Sequence, residues 1–149
     1  MNKIIIFFSS VFGVGYIKYA VGTISSLIGV LLWVLVVPCN YIYQIPLLIV
    51  IFIGSVLFSY FAEKIYNKKD DRRIVIDEIS GMWFSVAFLP KTFGFLLLGF
   101  LLFRMFDVRK PFFINKIQKL KGGWGVTLDD ILSGVLVNMI LQIIRMVFQ

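Results

Sequence analysis

Apolar runs separated by short connectors are the feature that most restricts the fold of this 149-residue chain. Residues 24–37, 45–62 and 131–147 form three long runs, and residues 74–90 and 92–103 form two shorter ones. Hydrophobic residues make up 60% of the sequence, whereas soluble domains usually contain ~45–50%. The pattern predicts an all-α fold. We expect a polytopic membrane bundle of about four to five membrane helices, in one domain that covers residues 1–149.

The two shorter runs are adjacent in the chain, and each is too short for an ordinary membrane span. A full span needs roughly 20 residues. They are therefore expected to be short tilted spans or a hairpin that enters the membrane and returns. Residues 1–21 resemble a signal peptide, but Lys18 lies where a cleavage region should be small and neutral. We interpret this segment as a retained interfacial helix followed by a glycine-containing turn.

The basic residues predict how the chain is oriented in the membrane. Thirteen of the 15 Lys and Arg residues lie in three segments, residues 1–21, 63–74 and 104–127. Loops rich in Lys and Arg face the cytoplasm, so these segments are expected to be cytoplasmic interfacial segments. The net charge of +7 then indicates topology and contact with membrane lipids, and not binding of nucleic acid.

The absent residue types exclude several kinds of phosphate chemistry. The chain contains no histidine, so catalysis by a histidine base or a phosphohistidine is excluded. Its one cysteine, Cys39, lies in a connector that the charge pattern assigns to the far side of the membrane. A thiolate nucleophile is therefore not expected. Metal-assisted displacement remains, in which a divalent cation polarises a phosphoryl group.

Two adjacent pairs of acids are the candidate metal ligands. Asp77 and Glu78 begin one apolar run, and Asp129 and Asp130 precede another. Clustered carboxylates suit a hard divalent cation such as Mg²⁺. The alternative interpretation is that these acids cap helices and compensate helix dipoles. Because one capping side chain is enough for a helix start, we favour the metal site.

The spacing of small and polar residues predicts that the two acidic helices pack together. Asp77, Gly81 and Ser85 are spaced by four residues, as are Asp130, Gly134, Asn138 and Gln142. Residues spaced by four share one helical face. Polar stripes that contain glycine on apolar helices should face each other and not lipid.

Candidate substrate-binding groups lie at the same predicted face. Arg104 and Lys110 are cations that suit phosphate oxygens. Thr23 is a candidate N-cap at the start of an apolar run, where free helix amides could form an anion site. Asp107, one helical turn after Arg104, is a further acid at this face. The candidate catalytic residues are Asp77, Glu78, Asp107, Asp129 and Asp130.

Ordered sequence blocks extend along most of the chain. The most specific block is Phe103-Arg104-Met105-Phe106-Asp107-Val108-Arg109-Lys110-Pro111, which is followed by Gly125-Val126 and Asp129-Asp130. The others are Gly22-Thr23 with Ser26-Leu27, and Asp77-Glu78-Ile79-Ser80-Gly81-Met82-Trp83. Together these blocks resemble the phosphatidylglycerophosphatase A family. In four places the chain departs from the family pattern: Val21 and Phe113 replace prolines, Ser25 replaces glycine, and Ser133 replaces alanine. None of these departures removes a charged group.

The resemblance implies a multi-pass enzyme of the bacterial inner membrane with its active site on the cytoplasmic face. Such an enzyme removes the terminal phosphate of phosphatidylglycerophosphate, with Mg²⁺ as cofactor, and releases phosphatidylglycerol. A CDP-alcohol phosphotransferase is an alternative enzyme, but its two Asp-Gly pairs and its later pair of spaced aspartates are not present. A cation transporter or channel component is an alternative from another class. It would need polar groups that continue through the membrane, and here the acids cluster at one side.

Overall fold

A computed structural model describes residues 2–109 and 122–148 of the chain. These residues form α-helices and one short 3₁₀ turn at Val14–Tyr16, without any strand. The helices are α1 (Asn2–Ser9), α2 (Val21–Val36), α3 (Tyr41–Tyr66), α4 (Ile76–Val86), α5 (Phe93–Arg109) and α6 (Gly123–Phe148). The prediction of an all-α fold is therefore confirmed over the residues that the structure describes.

Two of the helices, α3 and α6, are long and apolar enough to cross a membrane. Each contains 26 residues, which corresponds to about 39 Å of helix and exceeds the ~30 Å thickness of a bilayer core. Only 28% of the most apolar stretch of either helix is buried inside the protein, so most of that surface faces outward. The other helices are shorter, and the expected count of four to five membrane helices stays a prediction.

Helix α4 lies at the centre of the bundle and contacts α2, α3, α5 and α6. Its crossing with α6 depends on glycine. A Cβ atom on Gly134 would collide with the carbonyl oxygen of Gly81, and one on Gly81 would lie 2.7 Å from the carbonyl oxygen of Asp130. Farther along, the Asn138 amide of α6 donates to the carbonyl oxygens of Ser85 and Ala87. The two predicted stripes therefore face each other.

Helices α4 and α5 are joined by a short connector and pack against each other. Whether they are short tilted spans or a hairpin that enters the membrane and returns stays a prediction. The turn between them is held by side chains from neighbouring segments. Arg145 of α6 donates to the carbonyl oxygen of Phe88, and the Gln44 side chain of α3 accepts from the Phe88 amide. In the same connector, the Lys91 ammonium group donates to carbonyl oxygens at the end of α2, including that of Trp33. These contacts fix where α5 begins.

Three helices begin at positions that differ from those predicted. Helix α2 begins at Val21, and Ala20 occupies its N-cap position with φ of 50° and no side-chain cap, so Thr23 is not an N-cap. Helix α3 begins at Tyr41 and not at residue 45, because the Asn40 side chain caps it by accepting from the Ile42 amide. Helix α6 begins at Gly123, eight residues before the predicted start at residue 131.

Candidate active site

All five predicted catalytic acids line one cavity of about 130 Å³ at a single end of the bundle. The first turn of α4 contributes Asp77 and Glu78, and the second turn of α6 contributes Asp129 and Asp130. Asp107 comes from α5. A larger cavity of about 270 Å³ between α1, α2, α3 and α4 has an apolar lining without any titratable side chain. The acid-lined cavity is therefore the candidate site for chemistry on phosphate.

The carboxyl groups of this cavity are largely withdrawn from solvent. Asp129 is 1% exposed, Asp130 is 4% exposed and Asp77 is 5% exposed. One oxygen of Asp77, Oδ1, is buried and has no hydrogen-bond partner within the described part of the chain. A buried carboxylate is costly unless a cation, a proton or hydrogen-bond donors compensate its charge. The cluster therefore has the chemistry of a cation-binding site.

Helix capping does not account for these acids. The N-cap position of α4 is occupied by Val75, and Asp77 and Glu78 follow inside the first turn. Dipole compensation applies to that pair, because it extends over the first turn of a helix. Asp129 and Asp130 are the seventh and eighth residues of α6, beyond the four free amides of a helix start. The capping interpretation is therefore wrong for the second pair.

Arg104 contacts the acid cluster through an ion pair within α5. Its Nη1 atom lies 2.5 Å from Oδ2 of Asp107, one helical turn away. The same nitrogen lies 3.5 Å from the hydroxyl oxygen of Ser26, and a Cβ atom on Gly22 would lie 2.8 Å from Nη2. The guanidinium group is therefore enclosed between α5 and the first turns of α2. This arrangement makes Arg104 part of the site's framework, and its predicted contact with phosphate stays a prediction.

Of the other two predicted substrate-binding residues, the structure describes only Thr23, which does not line the cavity. Thr23 is exposed in the first turn of α2, whereas the neighbouring Val21 lines the cavity. Lys110 lies outside the described residues. The roles of Thr23 and Lys110 in substrate binding therefore stay predictions.

Sequence reasoning missed two charged residues of the cavity, Asp70 and Arg72. Both belong to the connector between α3 and α4, whose cations were interpreted as a topology signal. Arg72 is exposed at the cavity, where it adds a positive charge to an otherwise acidic lining. The only sequence signal was that this cationic segment directly precedes the Asp77-Glu78 pair.

An ion pair between half-buried Arg73 and buried Asp71 holds this connector in place. Arg73 Nε donates to Asp71 Oδ1 at 2.7 Å, and the Arg73 guanidinium lies 3.7 Å from the centre of the Tyr66 ring. The hydrogen bond from Arg73 lowers the pKa of Asp71 below its usual value, although burial acts in the opposite direction. Because Asp71 lies between Asp70 and Arg72, its anchoring fixes the path of the chain beside the cavity.

The acids are not arranged as a closed metal site in the part of the chain that the structure describes. No group of three or more His, Cys, Asp or Glu side chains is positioned there to hold a metal ion. The predicted ligands Asp77, Glu78, Asp129 and Asp130 line one cavity, but their carboxylates do not converge on one point. Metal binding therefore stays a prediction, supported by donor chemistry and by the unpartnered Asp77 oxygen.

Comparison with known proteins agrees with the resemblance that the motifs carry. The profile of the phosphatidylglycerophosphatase A family matches residues 7–145. A protein of Bacteroides thetaiotaomicron with the provisional name phosphatidylinositol-3-phosphatase is 30% identical over 91% of this chain and 90% of its own length. No solved structure matches the chain.

Two further relatives carry the family's own name. Phosphatidylglycerophosphatase A of Escherichia coli is 32% identical over 84% of this chain and 74% of its own length. The enzyme of the same name from Haemophilus influenzae is 33% identical over 83% of this chain and 78% of its own length. These matches confirm that the protein is a phosphatase. The chain belongs to the phosphatidylglycerophosphatase A family.

Proposed function

We propose that the protein hydrolyses the terminal phosphomonoester of phosphatidylglycerophosphate, with Mg²⁺ as cofactor, and releases phosphatidylglycerol and phosphate. The observation that carries this proposal is the cavity formed by Asp77, Glu78, Asp107, Asp129 and Asp130. The chain that contains this cavity belongs to a family named for that activity, and two of its relatives carry the same name.

The cavity lining fits Mg²⁺ in its chemistry. Mg²⁺ prefers oxygen ligands and usually binds through one or two carboxylates together with waters and substrate phosphates. The unpartnered Oδ1 atom of buried Asp77 and the carboxyl groups of Asp129 and Asp130 are donors of this kind. We assign Asp77, Glu78, Asp129 and Asp130 as the residues that would hold the ion. When bound, Mg²⁺ would polarise the phosphoryl group and neutralise its charge.

The protein's own side chains would then bind and orient the phosphate. Arg72 is exposed at the cavity and has no hydrogen bond or ion pair among the described residues, so it could meet an incoming anion, whereas the Arg104 guanidinium is held by Asp107. Arg104 would fix the orientation of Asp107 and supply positive charge next to the cavity. Apolar neighbours such as Ile74 and Val126 also line the cavity and limit the access of water.

The charge distribution supports an inner-membrane enzyme with its active site on the cytoplasmic face. The cations of residues 64–73 lie at and after the end of α3, in the segment that contributes Asp70 and Arg72 to the acid-lined cavity. At the other end of α4, Lys91 lies in the connector to α5 and donates to the end of α2, and Arg145 donates to the Phe88 carbonyl oxygen of the same connector. Lys and Arg are concentrated on the cytoplasmic side of membrane proteins. We therefore propose a multi-pass protein in which α2 and the α4–α5 hairpin accompany the membrane-capable helices α3 and α6.

The transporter alternative receives no support from the polar groups deeper in the bundle. The Asn138 amide is occupied by the carbonyl oxygens of Ser85 and Ala87, and the Gln44 side chain contacts the backbone of Pro38 and Phe88. These groups complete the hydrogen bonding of the backbone at turns, and they do not form a polar path from the acid-lined cavity. This arrangement supports a role for the acids in chemistry at one face of the protein.

The identity of the lipid substrate is tested by comparing kcat/KM for two lipid phosphomonoesters. The purified protein in detergent should release phosphate from phosphatidylglycerophosphate at least about tenfold faster, as kcat/KM, than from phosphatidylinositol 3-phosphate. Tenfold corresponds to about 1.4 kcal/mol of differential transition-state binding. The second lipid is chosen because the name of the Bacteroides relative specifies it. Faster hydrolysis of the inositol lipid would contradict the proposed substrate but not the phosphatase chemistry.

Arg72 should contribute to binding of the lipid phosphate. We expect Arg72→Gln to raise KM about tenfold with little change in kcat, because a charge-assisted contact with phosphate is lost. Lys64→Gln is the matched control, since it removes one cation from the same region and does not line the acid cavity. Steady-state kinetics at fixed ionic strength separate the two variants. Equal effects in both would indicate general attraction of an anionic substrate, and not a contact at Arg72.

A further inference from the structure

Ser25 is a fully buried polar residue of α2 that contacts the acid cluster. Its side chain is 0% exposed. The Ser25 hydroxyl oxygen lies 2.5 Å from Oε2 of Glu78, across the crossing of α2 and α4. Among the described residues, Ser25 is the hydrogen-bond donor to the Glu78 carboxylate. A buried hydroxyl of α2 thus directly contacts a predicted catalytic acid.

The Ser25 hydroxyl has one proton and three acceptors within reach. The carbonyl oxygens of Val21 and Gly22 lie 2.9 Å and 3.0 Å away, and Glu78 Oε2 is closer, at 2.5 Å. A hydrogen bond to a carboxylate is shorter and roughly twice as strong as one between neutral groups. The proton therefore points to Glu78 whenever that acid is ionised.

The backbone of α2 completes the contact by leaving space for Glu78. A Cβ atom at Gly22 would collide with Oε1 of Glu78. One carboxylate oxygen therefore lies against the bare backbone of Gly22, and the other accepts from the Ser25 hydroxyl. Helix α2 thus contacts both oxygens of Glu78 and restricts the rotation of its carboxylate.

Ser26 is the neighbouring buried serine of α2, and its hydroxyl group serves its own helix. It donates to the Gly22 carbonyl oxygen at 2.7 Å. Of these two serines, Ser25 is therefore the one whose hydroxyl contacts Glu78.

We propose that Ser25 is a positioning residue, whose hydroxyl group holds the Glu78 carboxylate in the orientation in which it contributes to cation binding in the acid cavity. This inference rests on the proposed function. Side-chain ordering costs free energy when a ligand binds, and a carboxylate that is already oriented loses less of it. Loss of the hydroxyl should therefore weaken binding of the cation and should not prevent folding.

The test compares direct cation binding in variants that lack or retain the hydroxyl group. Mn²⁺, which can be detected by electron paramagnetic resonance, is titrated into the purified full-length protein in detergent without substrate. We expect Ser25→Ala and Ser25→Gly to raise the Mn²⁺ dissociation constant about three- to tenfold. Ser25→Thr should stay within about twofold of the natural protein, because it retains a hydroxyl group at the same position.

Two further measurements separate positioning from packing. Ser59→Ala is the control, since Ser59 is fully buried in α3 and its hydroxyl has no hydrogen-bond partner among the described residues. It should change neither Mn²⁺ binding nor turnover. Thermal melts in EDTA should show that the Ser25 variants still unfold cooperatively, with midpoints modestly below that of the natural protein because Glu78 loses a hydrogen bond. Their kcat at saturating lipid and limiting Mg²⁺ should fall and should recover when Mg²⁺ is raised.

The outcomes distinguish this proposal from the proposed function. If the natural protein binds Mn²⁺ and the alanine and glycine variants bind it equally well, Ser25 only fills space and the proposal is wrong. If the natural protein releases phosphate but binds no Mn²⁺, the metal site itself is wrong, and the proposal fails with it. A weakened affinity that threonine restores supports the positioning role.

Discussion

Removal of divalent cations should abolish phosphate release from phosphatidylglycerophosphate, and addition of Mg²⁺ should restore it. The physical reason is the accumulation of like charge at the cavity, where three of the aspartates are at most 5% exposed. Without a cation, ionised carboxylates that are buried this deeply repel one another, and they also repel the anionic phosphate. We expect activity in excess EDTA to fall by at least about 10³-fold, which corresponds to about 4 kcal/mol of the barrier.

A second measurement on the same protein does not depend on turnover. A ligand that binds only the folded state stabilises it by about 2.7 kcal/mol at a concentration 100 times its dissociation constant. Mg²⁺ should therefore raise the melting temperature of the protein in detergent, and EDTA should reverse the shift. EDTA that is saturated with Mg²⁺ beforehand is the control for effects of the chelator itself. Full turnover in excess EDTA, together with an unchanged melt, would contradict the metal site.

The convergence of the acidic helices was predictable from residue spacing. The four-residue spacing in α4 and α6 placed glycine and polar residues on one face of each helix. The structure brings Gly81 against Gly134 and the Asn138 amide onto the end of α4. This prediction succeeded because polar groups on apolar helices have few partners other than one another. The family motifs led to the same five acids independently.

Helix boundaries were less predictable, because tertiary packing overrides local preference. The segment that begins with Gly122-Gly123 has the composition of a loop, yet α6 begins at Gly123. A Cβ atom at Gly123 would collide with the carbonyl oxygen of Val56, so glycine allows α6 to begin directly against α3. A close approach between helices favours glycine, whereas helix propensity counts against it. The sequence alone does not show which requirement prevails.

The contribution of the connector between α3 and α4 was also not predictable. Its cations satisfied the topology rule, so no further role was assigned to them. In the structure, Asp70 and Arg72 line the acid cavity, and Asp71 is buried beside Arg73. Substitutions of Asp70 or Asp71 therefore cannot serve as remote controls for substitutions of the catalytic acids. Only the folded path of the loop reveals this.

Asp129→Asn and Asp130→Asn should each lower kcat/KM by at least about 10³-fold, or about 4 kcal/mol, and should leave the fold intact. Asparagine has nearly the same shape as aspartate but lacks the negative charge that would bind the cation. Neither residue caps a helix, because both lie in the second turn of α6. Substitution therefore removes no cap and no contact with the helix dipole.

The direction of the change in melting temperature distinguishes cation binding from a purely structural role of these acids. In EDTA, each variant should melt at the same temperature as the natural protein or higher, because one charge is removed from a buried group of like charges. With Mg²⁺, the variants should lose the stabilisation that the natural protein gains. Asp77→Asn should behave in the same way, since its Oδ1 atom has no partner to lose among the described residues.

Glu63→Gln is the matched control for these substitutions. Glu63 does not line the acid cavity, and its Oε1 atom accepts from the Asp70 amide at 2.9 Å, a contact that the glutamine carbonyl can retain. Its activity and its response to Mg²⁺ should therefore stay near those of the natural protein. If the variants at 77, 129 and 130 fold normally and keep near-full activity, the acids do not bind a catalytic cation. If these variants instead melt at a much lower temperature in EDTA, the carboxylates support the fold through contacts that asparagine cannot make, and the charge-repulsion argument is wrong.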